Sequence, residues 1–309
     1  LNYNTTDYSE RLVESIAEHV NLMDYEVILA DNNSQDKSFR NIGAKFPFIR
    51  ILEFEENSGF ASGNNKAVKY AVGKYLLFLN PDILIKDNSI DLLYEYLENH
   101  TEIGIVSGLM VDSESKPIYC FNSFPSVQWE LYQFAGFGYN RKIKELLSRY
   151  EILHNMEFDV DWFHGAFMFI NKSNFNYVKG FNVEHFMYYE DVELCYSVKK
   201  TLRLKIVCLP FVRYVHYTRA TFSDISKDDV YYFHMNRGKL IYIRNYGFSR
   251  RNIIKFISLV GVISRIFVLP FWNKYKNTKK RKFVQLLKVV YLHINQNYLY
   301  SSKYEFITR

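Results

Sequence analysis

The chain has 309 residues, 48% of them hydrophobic and 23% charged. That excludes a disordered or fibrous polypeptide and leaves room for one large α/β domain with an appendage, or two modest domains. The net charge of +6 is uneven: from Arg237 onward there are sixteen Lys/Arg and one acid, Glu305, which leaves 23 basic and 32 acidic residues to the part before it. A mildly acidic body with a strongly basic tail points to an anionic surface, whether a bilayer leaflet, lipid-linked diphosphates or nucleic acid. The three cysteines, Cys120, Cys195 and Cys208, are too few and scattered for a disulfide framework or a zinc site and read as buried thiols in a reducing compartment. Aromatic residues reach 18%, a load that suits sugar-stacking walls and membrane contact or simply reflects base composition.

The chain opens Leu1-Asn2-Tyr3-Asn4, without Met and without a secretory signal pattern, and reads as the end of a strand whose earlier residues are expected before Leu1. Asp7 and Glu10 fit a capping box opening a helix over residues 7–20. A strand over 25–30 leads into the polar turn Asp31-Asn32-Asn33-Ser34-Gln35-Asp36. A helix to about Phe46 and a strand over 49–54 follow. The loop Asn57-Ser58-Gly59-Phe60-Ala61-Ser62-Gly63-Asn64-Asn65 then opens a helix over 66–72. The unbroken apolar run of residues 75–79, between Gly73 and Pro81, suits a strand buried on both faces of a parallel sheet. It ends in Asn80-Pro81-Asp82, which is either a plain turn or a carboxylate held at the carboxyl end of a strand, where open α/β sheets bind ligands.

A helix over 89–99 and a strand over 103–111 continue the alternation, which argues for a doubly wound, mostly parallel sheet. Residues 112–155 are irregular and aromatic-rich, with a helix-like stretch at 143–150 that suits a lid. Residues 159–170 read as a strand with Gly165-Ala166 in its middle, where glycine marks close approach of a ligand or another backbone. The acids Glu184, Glu190, Asp191 and Glu193 cluster at the start of a helix running to about Thr201. They are either helix-start acids stabilised by the dipole or catalytic carboxylates. Strands over 205–209 and 211–216 end on His216, a candidate for metal or diphosphate contact. Helices are expected over 230–245, 250–269 and 279–295. The second is apolar but interrupted by Lys255 and Arg265, falls short of a clean spanning helix, and reads as an interfacial helix with a basic collar.

In a parallel sheet the loops after the strands ending at Ala30, Phe54 and Leu79 share one edge, so Asp31, Asn57, Gly59 and Asp82 can line one crevice. The loop bearing Gly59 and Gly63 can offer N–H groups to phosphate, although it is neither a G-x-G-x-x-G nor a Walker A fingerprint. Taken together and in order, Leu1-Asn2-Tyr3-Asn4, residues 30–36, residues 57–64, Leu79-Asn80-Pro81-Asp82, Gly165-Ala166, Gly180-Phe181-Asn182 and residues 189–195 resemble the inverting family-2 glycosyltransferases of GT-A fold. The likeness is strongest to the bacterial rhamnosyltransferase-like branch that builds cell-surface polysaccharide, and it covers about residues 1–220.

The resemblance implies a GT-A catalytic domain over 1–225, with a nucleotide-sugar half (1–111) and an acceptor half (112–225), followed by a basic helical region over 226–309. It assigns Asp31 to the nucleotide base with Tyr3, Asn4 and Asn33 beside it. Asn57, Gly59, Phe60, Gly63, Asn64 and Asn80 would line the nucleotide and diphosphate. Asp82 and His216 would hold a divalent Mg²⁺ or Mn²⁺, and Asp191, second of the Glu190-Asp191 pair, would be the general base. Gly165 and Ala166, with Trp162 and His164 before them, would border the acceptor. The family's D-x-D motif is reduced here to Asn80-Pro81-Asp82, so cation affinity would rest more on the diphosphate and His216. The first strand is nearly absent, and His164 stands where relatives carry a small polar residue.

Such a protein would move a sugar from dTDP-rhamnose or a UDP-sugar to a glycan or polyprenyl-diphosphate-linked acceptor, on the inner face of the cytoplasmic membrane. A nucleotidyltransferase on a similar fold and a non-enzymatic protein binding an anionic surface are the competing readings. Nucleic acid ranks below these because the tail lacks the ordered basic and stacking signature of a nucleic-acid module.

Overall fold

The computed structural model describes residues 1–21, 24–118, 120–134, 156–217, 225–246, 251–271 and 279–295. Contacts divide the chain into two units: one takes Leu1–Phe124, Leu146–Val183 and Glu190–Thr221, the other Pro125–Glu145, Glu184–Tyr189 and Phe222–Arg309. The helix expected at 143–150 lies outside the described residues.

The first unit alternates strand and helix. Helix α1 (Thr6–His19) buries Leu12, Val13 and Ile16, but the capping box does not form. The helix starts one residue early, and Thr5 at its N-cap donates its hydroxyl to Asn2 Oδ1 at 2.9 Å rather than capping. Strands β1 (Val27–Asp31) and β2 (Ile49–Glu53) pair in parallel around α2 (Arg40–Lys45). Helix α3 (Gly59–Val68) begins inside the glycine loop, seven residues before the expected start. Asn57 Oδ1 accepts the Gly59 N–H at 3.1 Å, and Gly59 takes φ +81°, which a side chain would resist.

The main sheet runs β3 (Tyr75–Leu79), β9 (Phe167–Asn171), β5 (Ile103–Val111), β10 (Lys205–His216), β4 (Ile83–Leu84), with β7 (Phe158–Asp159) also on β10. It is an α/β fold, but the sheet is mixed: β5 and β10 are parallel, while β9 runs antiparallel between β3 and β5. Strand β3 is not buried on both faces as its apolar run suggests. Leu76 and Phe78 are buried and Tyr75, Leu77 and Leu79 half-buried, because β3 ends the sheet and, among the described residues, pairs with β9 alone. Tyr75 packs on Tyr94 of α4 (Ser89–Asn99), and Phe78, on the opposite face, packs on Phe175 of α6 (Lys172–Tyr177). Each fully buried phenylalanine of this core, such as Phe163, Phe167 or Phe181, contributes about 2–3 kcal/mol of burial.

Two further expectations change. The strand over 159–170 breaks into β7, β8 (Trp162–Phe163, paired with β6, Phe121–Asn122) and β9, and its break at 164–166 is a turn. The two strands over 205–209 and 211–216 are one, with a register shift between Leu209 and Arg213, because Pro210 cannot donate to the ladder. Helix α7 (Glu190–Ser197) continues into a π-helical turn, Val198–Leu202, and stops at Arg203 in left-handed conformation.

The second unit holds α5 (Val127–Phe134), α8 (Ile225–Asn245), α9 (Arg251–Val268) and α10 (Lys279–Ile294). Val262, Leu269, Leu286 and Val289 form its core between α9 and α10. In residues 184–189, Tyr188 and Tyr189 both have positive φ, 69° and 76°, a costly conformation for bulky side chains. Arg237 of α8 donates to Glu184 O at 3.0 Å, and Gly238 admits Tyr188 O so closely that a Cβ there would lie 2.4 Å from it. Residues 251–271 are long and apolar enough to cross a membrane by length and composition, despite Lys255 and Arg265.

Gly108 of β5 lies under the β10 bulge, where a Cβ would stand 2.5 Å from Val212 O. Gly108→Ala is expected to destabilise the chain by about 1–3 kcal/mol, read as a lower urea midpoint with an unchanged slope.

Candidate active site

Asp82 follows β3 in a tight turn: Asn80 N–H donates to Ala166 O at 2.9 Å and Ile83 N–H to Asn80 O at 3.2 Å. The two-residue β4 then pairs antiparallel with the end of β10, matching Ile83 with His216. That register sets His216 Nε2 2.9 Å from Asp82 Oδ1, with both side chains 11% exposed. The Asn-Pro-Asp segment is therefore a turn and also the holder of a nearly buried carboxylate–imidazole pair. Among the described residues, no group of three or more His, Cys, Asp or Glu side chains comes together as a cation site.

Asp191 sits in the first turn of α7. Its Oδ2 accepts the Gly165 N–H at 2.8 Å and its Oδ1 the Val192 N–H at 2.8 Å. Gly165 is closely packed: a Cβ would lie in contact, 3.4 Å from Asp191 Cβ and 3.4 Å from two ring atoms of Phe60. The turn at 164–166 thus ties to Asp191 through the Gly165 amide and to the Asn80-Pro81-Asp82 turn through Ala166 O. His164 donates its N–H to Cys120 O and stacks on Trp162 with ring centroids 5.6 Å apart. Burial, and secondly the charge of His216, push the His164 imidazole down to about 4, so it is neutral at ordinary pH.

Glu190 and Asp191 are neighbours with different environments. Burial first, and then the Asp191 charge, raise the Glu190 carboxyl well above the usual range. Its Oε2 is buried without a hydrogen-bond partner. Burial thus disfavours the ionised form of Glu190, whereas both carboxylate oxygens of Asp191 accept backbone N–H groups.

The loops after β1 and β2 are knotted together. Asp31 is fully buried, and its carboxylate accepts from Asn2 Nδ2 at 2.7 Å and from Ser34 N at 2.8 Å. Asn32 Nδ2 donates to Asn57 Oδ1 at 2.8 Å and to Gly59 O at 3.1 Å. Asn4 and Asn33 are exposed with positive φ, Tyr3 is exposed beside them, and Asn4 Oδ1 accepts the Gln35 N–H. The outward face of this loop is therefore Tyr3, Asn4 and Asn33, while Asp31 braces it from within. Asn64 Nδ2 donates to Phe60 O, and Gly63 packs on Leu1, whose side chain would have to shift to admit a Cβ. A cavity of about 490 Å³, lined by Glu53, Phe54, Glu55, Glu56 and Lys66, opens beside this loop.

Asn2, Asn32 and Ser34 hold these loops, yet none of them had a role of its own in the sequence reading; they lie inside the stretches Leu1–Asn4 and 30–36, and short polar side chains in turns were the signal.

These features match a known class by shape. The structure resembles that of a mannosyltransferase from Pyrobaculum calidifontis in complex with GDP-Man and Mn²⁺, with a TM-score of 0.56 at 12% identity, over 96% of this chain and 85% of that one. The fold is therefore that of the GT-A, nucleotide-diphospho-sugar transferases. The Glycosyl transferase family 2 profile matches residues 1–189, and the chain belongs to that family.

Among its relatives are the low-salt glycan biosynthesis hexosyltransferase Agl10 of Haloferax volcanii (28% identical over 57% of this chain and 53% of that protein) and the N-acetylglucosaminyl-diphospho-decaprenol L-rhamnosyltransferase of Mycobacterium tuberculosis (26% over 54% and 59%). Rhamnosyltransferase WbbL of Escherichia coli is 28% identical over 70% of this chain and 82% of its own length. The match spans little more than half the length of the first two.

The raised Glu190 carboxyl has a stability consequence. The unfolded chain releases this proton near pH 4.5 while the fold retains it, so the stability Glu190 contributes is present below pH 4.5 and lost as pH rises toward the folded value. Glu190→Gln is expected to melt at or above the native temperature at neutral pH and to remove part of the alkaline decline, read from melting curves across pH.

Proposed function

We propose that the chain is an inverting glycosyltransferase that moves a sugar from a nucleotide-diphospho-sugar, dTDP-rhamnose or a UDP-sugar, to a hydroxyl of a glycan or polyprenyl-diphosphate-linked acceptor. The observation that carries this reading is the turn at 164–166, bonded on one side to Asp191 and on the other to the turn bearing Asp82. Direct displacement at an anomeric carbon needs a base on the acceptor side and charge stabilisation on the leaving side. With both Asp191 oxygens already accepting backbone N–H groups, the carboxylate is held in orientation and takes the acceptor proton on a remaining lone pair. One base and one step invert the centre. A retaining mechanism would need a second ionised carboxylate as nucleophile, and burial disfavours the ionised form of Glu190.

The Asp82–His216 pair has the donor set for Mg²⁺ or Mn²⁺, and with two protein ligands it would leave further positions to diphosphate oxygens. Such a cation, when bound, would offset negative charge on the departing nucleoside diphosphate. The mannosyltransferase of similar fold carries GDP-Man and Mn²⁺, and one relative is named for a diphospho-decaprenol acceptor. These support the donor, cation and acceptor classes read here.

The second unit suits peripheral attachment at the inner face of the cytoplasmic membrane. Ile253, Phe256, Phe267 and Phe271 are exposed at helical spacing along one stripe of α9 and the turn after it. Phe283, Val284 and Leu287 are exposed on α10, whose first turn is Lys279-Lys280-Arg281-Lys282. An apolar stripe with a cationic collar fits anionic lipid, at about 1 kcal/mol per basic residue at the surface.

Two experiments test the proposal. With dTDP-rhamnose or UDP-hexoses and a polyprenyl-diphosphate acceptor, the native chain should release nucleoside diphosphate. Asp191→Asn should slow transfer by on the order of a hundredfold to ten-thousandfold with the fold intact. Release of pyrophosphate instead would make it a nucleotidyltransferase, and wild-type transfer by Asp191→Asn would remove the base assignment. In co-sedimentation, the chain should bind phosphatidylglycerol vesicles over phosphatidylcholine ones, and Phe267→Ser with Phe271→Ser should weaken this. Binding to duplex DNA with none to vesicles would overturn it.

A further inference from the structure

We infer that Asn65 is a positioning residue for Asp191, acting through the backbone of Phe181. The inference deepens the proposed function, since it takes Asp191 as the base. Asn65 lies on α3, whose first residue is in the loop assigned to the donor. Its side-chain amide makes both bonds of a miniature sheet with one residue: Nδ2 donates to Phe181 O at 2.7 Å, and Oδ1 accepts the Phe181 N–H at 3.0 Å. Its partner is 116 residues away in sequence. Gly180 makes the approach possible. It has φ +69°, and a Cβ there would stand 2.7 Å from Asn65 Oδ1 and 2.9 Å from the Phe175 ring.

From Phe181 two routes reach Asp191. The Phe181 side chain is 1% exposed and meets Phe60 edge-on at 5.7 Å. Phe60 in turn lies against Gly165, whose N–H holds Asp191 Oδ2. The next residue, Asn182, donates from Nδ2 to Glu193 Oε1 at 2.8 Å. Glu193 is buried on α7, two residues after Asp191. One route sets the amide that orients the carboxylate; the other sets the helix that carries it. Both pass through the peptide that Asn65 grips. A packed core transmits such a shift because it has no slack to absorb it, and small displacements of a catalytic group are costly in rate.

The test uses the full chain and three variants. Asn65→Ala removes both bonds, Asn182→Ala removes the bond that leads to α7, and Glu193→Gln keeps a carbonyl acceptor for Asn182. Hydrogen exchange at the Gly165 amide is read against amides of β5 and β10, and nucleoside-diphosphate release is read as kcat and donor KM. Asn65→Ala should lose on the order of tenfold in protection at Gly165 with β5 and β10 unchanged. It should lose tenfold or more in kcat, with donor KM within about twofold. Asn182→Ala should lower kcat by a smaller factor, and Glu193→Gln should resemble the native chain.

A folded Asn65→Ala with native Gly165 protection and native kcat overturns the inference, as does a loss that only tracks the unfolded fraction. If Asn65→Ala does not fold, native kcat and native exchange of α7 in Asn182→Ala overturn it. If the native chain releases no nucleoside diphosphate from any donor, the proposed function fails, and the exchange at Gly165 alone then decides whether Asn65 positions Asp191.

Discussion

The hydrogen bond from the Gly165 amide to Asp191 Oδ2 is the constraint on which the rest of the site depends. A bond from an amide to a carboxylate contributes about 1.5–3 kcal/mol, but its larger effect is geometric. A backbone donor cannot change rotamer, so the carboxylate inherits the rigidity of the strand that follows. The same three-residue turn receives the Asn80 amide on Ala166 O. Asp191 and the Asp82–His216 pair are thereby referenced to one short piece of main chain rather than to each other through flexible side chains. Phe60 packs on the turn, with two ring atoms 3.4 Å from where a Cβ on Gly165 would stand.

Much of the framework was readable in the residues. The apolar runs at β1, β2 and β5 and the amphipathic helices α1 and α4 fall within a few residues of where periodicity puts them. The misreadings share a cause. Period and burial in one segment carry no information about which strand lies next to it, so the half-exposed edge at β3 and the antiparallel insertion of β9 were invisible. Likewise Pro210 reads as a break, although the chain merely bulges and continues. In the site, residue patterns alone left the Asn-Pro-Asp turn and the acids at 190–193 open between structural and chemical roles, and the family resemblance gave them roles. The brackets that hold the site together, Asn2 to Asp31, Asn32 to Asn57 and Asn65 to Phe181, were hidden because an asparagine says nothing about a partner 25 to 116 positions away.

Adjacent carboxyls at 190 and 191 show how little sequence distance matters to proton affinity. Glu190 is buried with one oxygen unbonded, and its carboxyl is pushed up, whereas Asp191 is held by two amide donors. The second unit shows the same economy of means. Two tyrosines adopt backbone angles that favour glycine, and a true glycine at 238 leaves room for the carbonyl of Tyr188.

The Asp82–His216 contact spans 134 residues of chain, and this bears on how the protein comes into being. A polypeptide emerging from the ribosome can form the β1–β2 pair early, yet it holds no paired carboxylate and imidazole until β10 has been synthesised and has found β4. The pairing of this carboxylate with this imidazole therefore arrives late. A chain interrupted before residue 216 would lack the contact altogether.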